Sequence, residues 1–210
     1  MVRLLAAVAL VVSMAGCQSA AVATPPPTPV AAVHAIVAQT VLQPTDIPAG
    51  LLPCASSGAI GAYIAAVKSP DPGVAATIAS RWAALQAQGA TQAEISLFAA
   101  NPTACTAELG ATSAVKSAAS LVISFTDEGA ADRAWQRGVL GFAPPSPGEA
   151  PPGIVRGAAT GLGASSWTYD RGPVKLACWR KSVFVAVIVF ANLDPASFKA
   201  AAAAVDARLN

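Results

Sequence analysis

The apolar positions of this chain follow two periods, one typical of helices and one typical of strands. Apolar spacing, read together with capping and breaking residues, predicts amphipathic helices. These helices cover 57–67, 74–88, 101–110, 127–137 and 195–209. In the last of them Phe198, Ala202, Val205 and Leu209 share one face, so this helix is expected to pack on a sheet.

Runs rich in β-branched and apolar residues predict strands. They cover 93–99, 117–125, 166–169, 174–179 and 183–190, and short turns join the last three into a meander. The final run is apolar on both faces, as expected for a central strand that is covered on each side. The pattern therefore predicts an α+β fold: a single domain with an antiparallel sheet of about five strands and amphipathic helices packed on it.

The N-terminal pattern is of a different kind. Arg3 is followed by an apolar run at 4–12, which is typical of an export signal and is shorter than the about 20 residues that span a bilayer. Met14-Ala15-Gly16-Cys17 then resembles the lipobox of bacterial lipoproteins, with Met14 where that family usually has Leu. The resemblance implies cleavage before Cys17 and lipid on its sulfur. The alternatives are an ordinary secretory signal or a buried N-terminal helix.

Three segments follow from this reading. Residues 1–16 are a signal peptide, 17–39 are the lipidated cysteine with an Ala/Pro-rich tether, and 40–210 are the α+β domain. The prolines near the start of the tether favour an extended spacer. Two or three acyl chains would hold the domain at the outer face of the plasma membrane, or at an outer membrane if there is one. His34 lies in the tether, and no ligand or catalytic partner is near it in sequence.

Composition narrows the function classes. The chain has 210 residues and a net charge of +2, and it has no long basic run, which argues against nucleic acid as a partner. It has no CxxC pair, and His34 is its one histidine, so the sequence predicts neither a metal site nor a cofactor. The three cysteines beyond Cys17 cannot all pair within one chain, and Cys54 and Cys105, both in or beside loops, are the expected disulfide pair. Cys178 is interpreted as a small buried side chain in a strand.

Enzyme motifs are incomplete. Ser113-Ala114-Val115-Lys116 matches the SxxK of penicillin-binding enzymes, but no SDN or KTG element accompanies it. The segment around Ser165 and Ser166 lacks the second glycine of a nucleophile elbow, and the glycine-rich stretch at 157–163 lacks the lysine of a phosphate loop. The sequence therefore predicts a protein that is not an enzyme.

One cluster of residues has the composition of a binding site. Aromatic and arginine side chains dominate recognition sites because they bury a large area at low entropic cost. The candidates are Trp167, Tyr169, Arg171, Lys175, Trp179 and Arg180. A ligand is expected beneath the proline loop, residues 140–152, on the face of the strand that carries Lys175 and Trp179. The alternative is that the tryptophans belong to the core and the cations are solvated turn residues.

The C-terminal part resembles small uncharacterised lipoproteins and sensor-type domains of bacterial cell envelopes. The resemblance covers about the last 90 residues and gives no catalytic residue. The sequence elements that carry it are Gly161-Leu162-Gly163-Ala164-Ser165-Ser166-Trp167, Cys178-Trp179-Arg180-Lys181 and Val205-Asp206-Ala207-Arg208-Leu209. We therefore expect a lipid-anchored extracytoplasmic domain that binds or senses an envelope ligand or a protein partner. A small envelope hydrolase and an assembly partner of a membrane protein are the alternatives.

Overall fold

The computed structural model describes residues 37–101, 105, 115–146, 148–149 and 151–209. The expected signal peptide, Cys17 and most of the tether lie outside this range, as does Ser113. The expected helix at 101–110 lies outside it too, except for Asn101 and Cys105.

Five α-helices are present in the described chain. They are α1 Val37–Thr40, α2 Ile60–Val67, α3 Pro72–Gln86, α4 Glu128–Arg137 and α5 Pro195–Arg208. Short 3₁₀ helices cover Pro44–Asp46 and Gly157–Thr160. None of the helices in the described range is both long and apolar enough to cross a bilayer.

Aspartate side chains begin the three longest helices. Asp71, Asp127 and Asp194 each accept a hydrogen bond from the backbone N–H three residues ahead. The bond from Ala130 is the main reason why the pKa of the Asp127 carboxyl lies below its usual value. For Asp194, the Ser197 hydroxyl is the main cause of a similarly lowered pKa. These caps satisfy N–H groups that have no partner within the helix. Helices α4 and α5 begin where the sequence predicts, whereas α3 begins at Pro72, two residues before the predicted start at Val74.

The sheet is antiparallel and has eight strands. Its five long strands are β3 Ala90–Ala99, β4 Ser117–Phe125, β6 Ser166–Arg171, β7 Val174–Lys181 and β8 Phe184–Ala191. The short ones are β1 Leu52–Pro53, β2 Gly58–Ala59 and β5 Ile154–Arg156. The order is β1-β3-β4-β8-β7-β6-β5, and β2 also pairs with β3. The α+β class and the antiparallel sheet are confirmed. The expected number of about five strands is too low, because strands of two or three residues show no alternation in the sequence.

The sheet divides the core into two layers, and the side chains of β8 point into both. Val185, Val187 and Val189 point to one face of the sheet, which α2, α3 and α4 cover. Phe184 and Ile188 point to the other face, which α1 and α5 cover. We call these the α4 face and the α5 face. Every residue of β8 is buried, as the apolar run predicts for a central strand.

The packed part of the chain includes Val37, within the segment that the sequence assigns to the tether. Val37 is buried in the cluster on the α5 face. Just beyond it, Leu42 accepts a hydrogen bond from Ser96 and donates one to Ser120, on two neighbouring strands. This segment therefore docks on the sheet before the first long helix begins.

The structure contains a disulfide between Cys54 and Cys105, the pair that the sequence favours, with a Cα–Cα distance of 5.6 Å. It links the segment after β1 to the connection between β3 and β4. A disulfide of this kind is typical of proteins in an oxidising compartment. Cys178 is a free, buried thiol.

Candidate functional site

The structure does not bring the six candidate binding residues together. Strands β6 and β7 pair so that Trp167 lies opposite Cys178 and Ser166 lies opposite Trp179. Side chains alternate between the faces of a sheet, so this register places Trp167 on the α4 face and Trp179 on the α5 face. The two tryptophans are separated by the sheet itself.

Trp179 is a core residue. Its side chain is fully buried, and its indole N–H donates a 3.0 Å hydrogen bond to the Asp206 carboxylate. Lys181 also donates to Asp206, to the main-chain oxygen at 2.7 Å. The three residues join β7 to the end of α5, which accounts for Trp179 without a ligand.

Two cations of the candidate set, Lys175 and Arg180, form separate ion pairs. Lys175 is nearly buried and lies 3.1 Å from the Asp170 carboxylate. Arg180 pairs with Asp132 of α4 at 3.2 Å and donates to the Ser182 carbonyl. The exposed Arg171 ends β6, and the partly buried Tyr169 packs against the core of the α4 face. These contacts leave Trp167 as the one member of the set that lines a cavity beside the proline loop.

This cavity lies on the α4 face and has a volume of about 590 Å³. We call it the tryptophan cavity. Its lining comes from α4, the proline loop, β5, the glycine-rich segment and β6. The lining residues are Trp135, Gln136, Pro144, Pro145, Ser146, Arg156, Gly157, Ala164, Ser166 and Trp167.

A tight turn after α4 brings the proline loop to this cavity. Gly138 ends the helix with φ of 92°, a backbone conformation that favours glycine. A Cβ atom at Gly138 would lie 2.7 Å from the Cβ of Ala143, so the chain can cross itself here only without a side chain. A bridge between Val139 and Phe142 closes the turn. The chain then enters the loop beside Trp135.

Arg156, on β5, forms hydrogen bonds with the proline loop on the side of the cavity opposite α4. In β5 it pairs with Trp167 of β6, so the two side chains share the α4 face. Its Nη2 atom donates to the Ser146 carbonyl at 2.6 Å and also to the Glu149 carbonyl. The guanidinium group therefore holds two points of the proline loop next to the cavity.

The Ser166 hydroxyl forms hydrogen bonds with the glycine-rich segment, residues 157–163. Its Oγ atom lies 2.6 Å from the Gly163 carbonyl oxygen, 3.0 Å from that of Gly157 and 2.6 Å from Thr160 Oγ1. The Thr160 hydroxyl in turn contacts Gly157 and accepts from Leu162. Ser166 thus fixes the segment on β6, which is a structural role.

Two indole N–H groups beside the cavity lack oxygen acceptors. Trp135 Nε1 and Trp167 Nε1 are both buried, and neither has an oxygen acceptor among the described residues. Native proteins leave few such groups, and each costs about 1–3 kcal/mol. Because both nitrogens are shielded from solvent, they face packed protein and not the space of the cavity.

The nearest acceptor to consider for Trp167 is the Cys178 thiol. Burial raises the pKa of this thiol to about 12, and the Trp167 side chain lowers it by a smaller amount. The cause of this lowering is a hydrogen bond, so the Trp167 N–H points to the Cys178 sulfur and not into the cavity. A thiol is a weaker acceptor than an oxygen.

Sequence reasoning missed Trp135 and Arg156 as site residues. The spacing of apolar residues assigned Trp135 to the packed side of its helix, and Arg156 lies in a strand too short to recognise. Both residues line the cavity because the proline loop passes beside them. The density of prolines in that loop was the one signal in the sequence that pointed to this place.

A second cavity, of about 490 Å³, lies on the α5 face between β5, β6 and α5. It is mainly apolar and includes Val155, which is 43% exposed, together with Asp170 and Lys199. None of its described lining residues has a buried polar side-chain atom without a partner. It therefore presents no unmet hydrogen bond that would select a ligand.

Neither metal chemistry nor a known family defines the site. Within the described residues, no three His, Cys, Asp or Glu side chains are grouped so that they could hold a metal ion. Comparisons with protein-family models, curated proteins and solved structures found no match. A functional assignment therefore rests on the geometry of the tryptophan cavity.

Proposed function

We propose that this protein is a lipid-anchored extracytoplasmic domain that binds or senses a small molecule in the tryptophan cavity. The observation that carries the proposal is a cavity walled by Trp135, Trp167 and two prolines, with the cation Arg156 among its described lining residues. Aromatic walls with few polar groups are typical of small-molecule sites. The volume of about 590 Å³ lies within the usual range for small-molecule sites, about 300–1,000 Å³.

The described residues give less support to the other two functions. A hydrolase would need a free nucleophile, and the Ser166 hydroxyl is engaged with main-chain oxygens. An assembly partner would need a continuous apolar patch. The large apolar side chains most exposed in the described chain, Leu52 and Val155, lie near opposite edges of the sheet. These observations favour a binding domain.

The binding proposal is tested on the full-length chain with Cys17→Ser, which removes the expected lipid acceptor. Small-molecule extracts of bacterial envelopes are added while tryptophan fluorescence is recorded. We expect at least one extract to change the emission. The change should disappear in Ala164→Phe, because the larger side chain fills the cavity, and should persist in Ala200→Phe, which makes the same substitution at an exposed site on α5.

Two results would overturn the proposal. One is the absence of any response to all extracts by a variant whose circular dichroism shows a folded chain. The other is a response of the same size in Ala164→Phe as in the parent chain.

The anchor has a separate test. If Cys17 carries the lipid, Cys17→Ser should move the protein from the membrane fraction to the soluble extracytoplasmic fraction. Thr24→Ala, a substitution in the tether, serves as the control and should leave the protein in the membrane fraction. Retention of Cys17→Ser in membranes would contradict the lipoprotein assignment and leave the cavity proposal untouched.

A further inference from the structure

We infer that the cavity of about 490 Å³ on the α5 face is a second binding site, which takes a single aliphatic chain with an anionic head group, as in a free fatty acid. We call it the α5 cavity. It shares no described lining residue with the tryptophan cavity, so the inference goes beyond the proposed function. Three features lead to it: an exposed apolar wall, an elongated shape and the charges at the rim.

One wall of the α5 cavity belongs to the sheet. Val155 of β5 lies opposite Thr168 of β6, and Thr168 lies opposite Ala177, which is buried on the α5 face. Side chains of directly opposed residues share a face, so Val155 and Thr168 point toward α5. Val155 is 43% exposed, although large apolar side chains are mostly buried in this chain. An apolar ligand in the cavity would remove this surface from water.

The opposite wall is a stripe along α5. Its members recur every three or four residues, so they share one face of the helix; they are Pro195, Phe198, Lys199, Ala202 and Ala203. A helix rises about 1.5 Å per residue, so the stripe is about 12 Å long. The small side chains of Ala202 and Ala203 leave room between the helix and the sheet. This elongated, mainly apolar space fits an aliphatic chain better than a compact polar molecule.

The charges of the α5 cavity favour an anionic head group. The Asp170 carboxylate lies 3.1 Å from the ammonium group of the nearly buried Lys175, which neutralises it. The Asp194 carboxylate, at the start of α5, accepts hydrogen bonds from the N–H and the hydroxyl of Ser197. Lys199 is exposed and has no ion pair or hydrogen bond among the described residues. Lys199 is therefore the charge that a ligand can pair, and opposite charges attract.

The exposure of the lining residues defines how a ligand would lie. Val155 and Lys199 both reach solvent, so the cavity is open in the structure as it stands. A carboxylate can pair with Lys199 and remain hydrated while the aliphatic chain packs between α5 and Val155. Selection by this site then depends on the length of the chain and on the sign of the head group.

Three probes test the inference by titration calorimetry on the full-length Cys17→Ser chain. They are dodecanoate, the shorter octanoate, and dodecyltrimethylammonium, which has the long chain and a positive head. We expect dodecanoate to bind at least about tenfold more tightly than octanoate, because each buried methylene strengthens binding by about fourfold. Its lead over the cation should be about threefold or more, as expected for a charge pair at the surface.

Two pairs of variants locate the chain and the head group. Ala203→Phe fills the cavity from an exposed position of α5 and should weaken dodecanoate binding at least about tenfold, whereas Ala200→Phe, outside the lining, should not. Lys199→Glu should reverse the preference between dodecanoate and the cation. Lys68→Glu makes the same change in net charge at an exposed site after α2 and should preserve the preference.

Each result has a definite meaning. The inference fails if dodecanoate does not bind to a chain that circular dichroism shows to be folded, if octanoate binds as tightly, or if Ala203→Phe leaves dodecanoate binding unchanged. An equal effect of Lys199→Glu and Lys68→Glu, or tighter binding of the cation by the parent chain, overturns the assignment of an anionic head group. Ala164→Phe, in the tryptophan cavity, should leave dodecanoate binding unchanged. The α5 cavity can therefore fail this test while the proposed function stands, and the reverse also holds.

Discussion

Trp167 and Trp179 lie on adjacent strands of one sheet, yet their surroundings differ. Trp179 is fully buried on the α5 face, and its N–H donates to Asp206. Trp167 is 8% exposed on the α4 face, beside a cavity, and its N–H is directed at the weakly accepting Cys178 sulfur. The comparison shows that residue type does not by itself distinguish a structural tryptophan from a candidate binding residue. The elements that surround the side chain do.

The two faces of the sheet also differ in the elements that cover them. On the α5 face the long helix α5 packs directly on the sheet, and the Phe190 and Phe198 rings meet edge to face with centroids 5.6 Å apart. On the α4 face, the proline loop lies at the β5–β6 end of the sheet, beside the tryptophan cavity.

The sharpest test of the comparison uses the same substitution on both faces. Trp179→Phe removes the hydrogen bond to Asp206, and we expect it to lower the free energy of unfolding by about 2 kcal/mol. Trp167→Phe removes a donor that contacts only the weakly accepting Cys178 sulfur among the described acceptors. The loss of so weak a hydrogen bond is small, so the expected change is less than about 1 kcal/mol. Urea denaturation of the full-length Cys17→Ser chain measures both.

The m-values of the two variants should equal that of the parent chain, so that a shift of the midpoint reports stability alone. Equal losses from the two substitutions would break the comparison. They would mean that the Trp167 N–H has a partner of normal strength.

We expect a smaller effect on the free energy of unfolding at alkaline pH, where the Cys178 thiol loses its proton. Burial raises the pKa of the Cys178 thiol from 9.0 to about 12, so the unfolded chain loses this proton at lower pH than the folded chain does. The contribution of the thiol to stability is therefore complete below pH 9 and is lost as the pH rises toward 12. Between pH 9 and about pH 10 the loss should be about 1 kcal/mol.

Cys178→Ala provides the control for this effect. The substitution lowers the free energy of unfolding by a constant amount, because the sulfur is lost. The free energy of unfolding of the variant should then fall less steeply with pH than that of the parent chain. Parallel curves for the two proteins would show that the thiol titrates normally when folded. Water would then reach the α4 face beneath Trp167, and the cavity floor would not be sealed.

Much of the fold follows from local patterns. The runs at 117–125 and 183–190 became β4 and β8, and the aspartates at 127 and 194 begin helices as predicted. Asp71, which the sequence places in a turn, also caps a helix. The binding cluster could not be predicted in this way. The sequence placed Trp167 and Trp179 in one group because they are close in a hairpin, and the pairing of β6 with β7 put them on opposite faces.

What the sequence by itself determined about this protein is local: the helical and strand periods, the capping residues, and the expectation of a lipid at Cys17. Tertiary structure alone decided which tryptophan is enclosed in the core and which lines a cavity. Asp206, 27 residues beyond Trp179, reaches that indole because α5 folds back on the sheet. Trp135, from another helix, and the proline loop meet Trp167 at a cavity instead. Periodicity describes how neighbours along the chain are arranged, whereas a hydrogen bond between distant segments depends on how the whole chain packs.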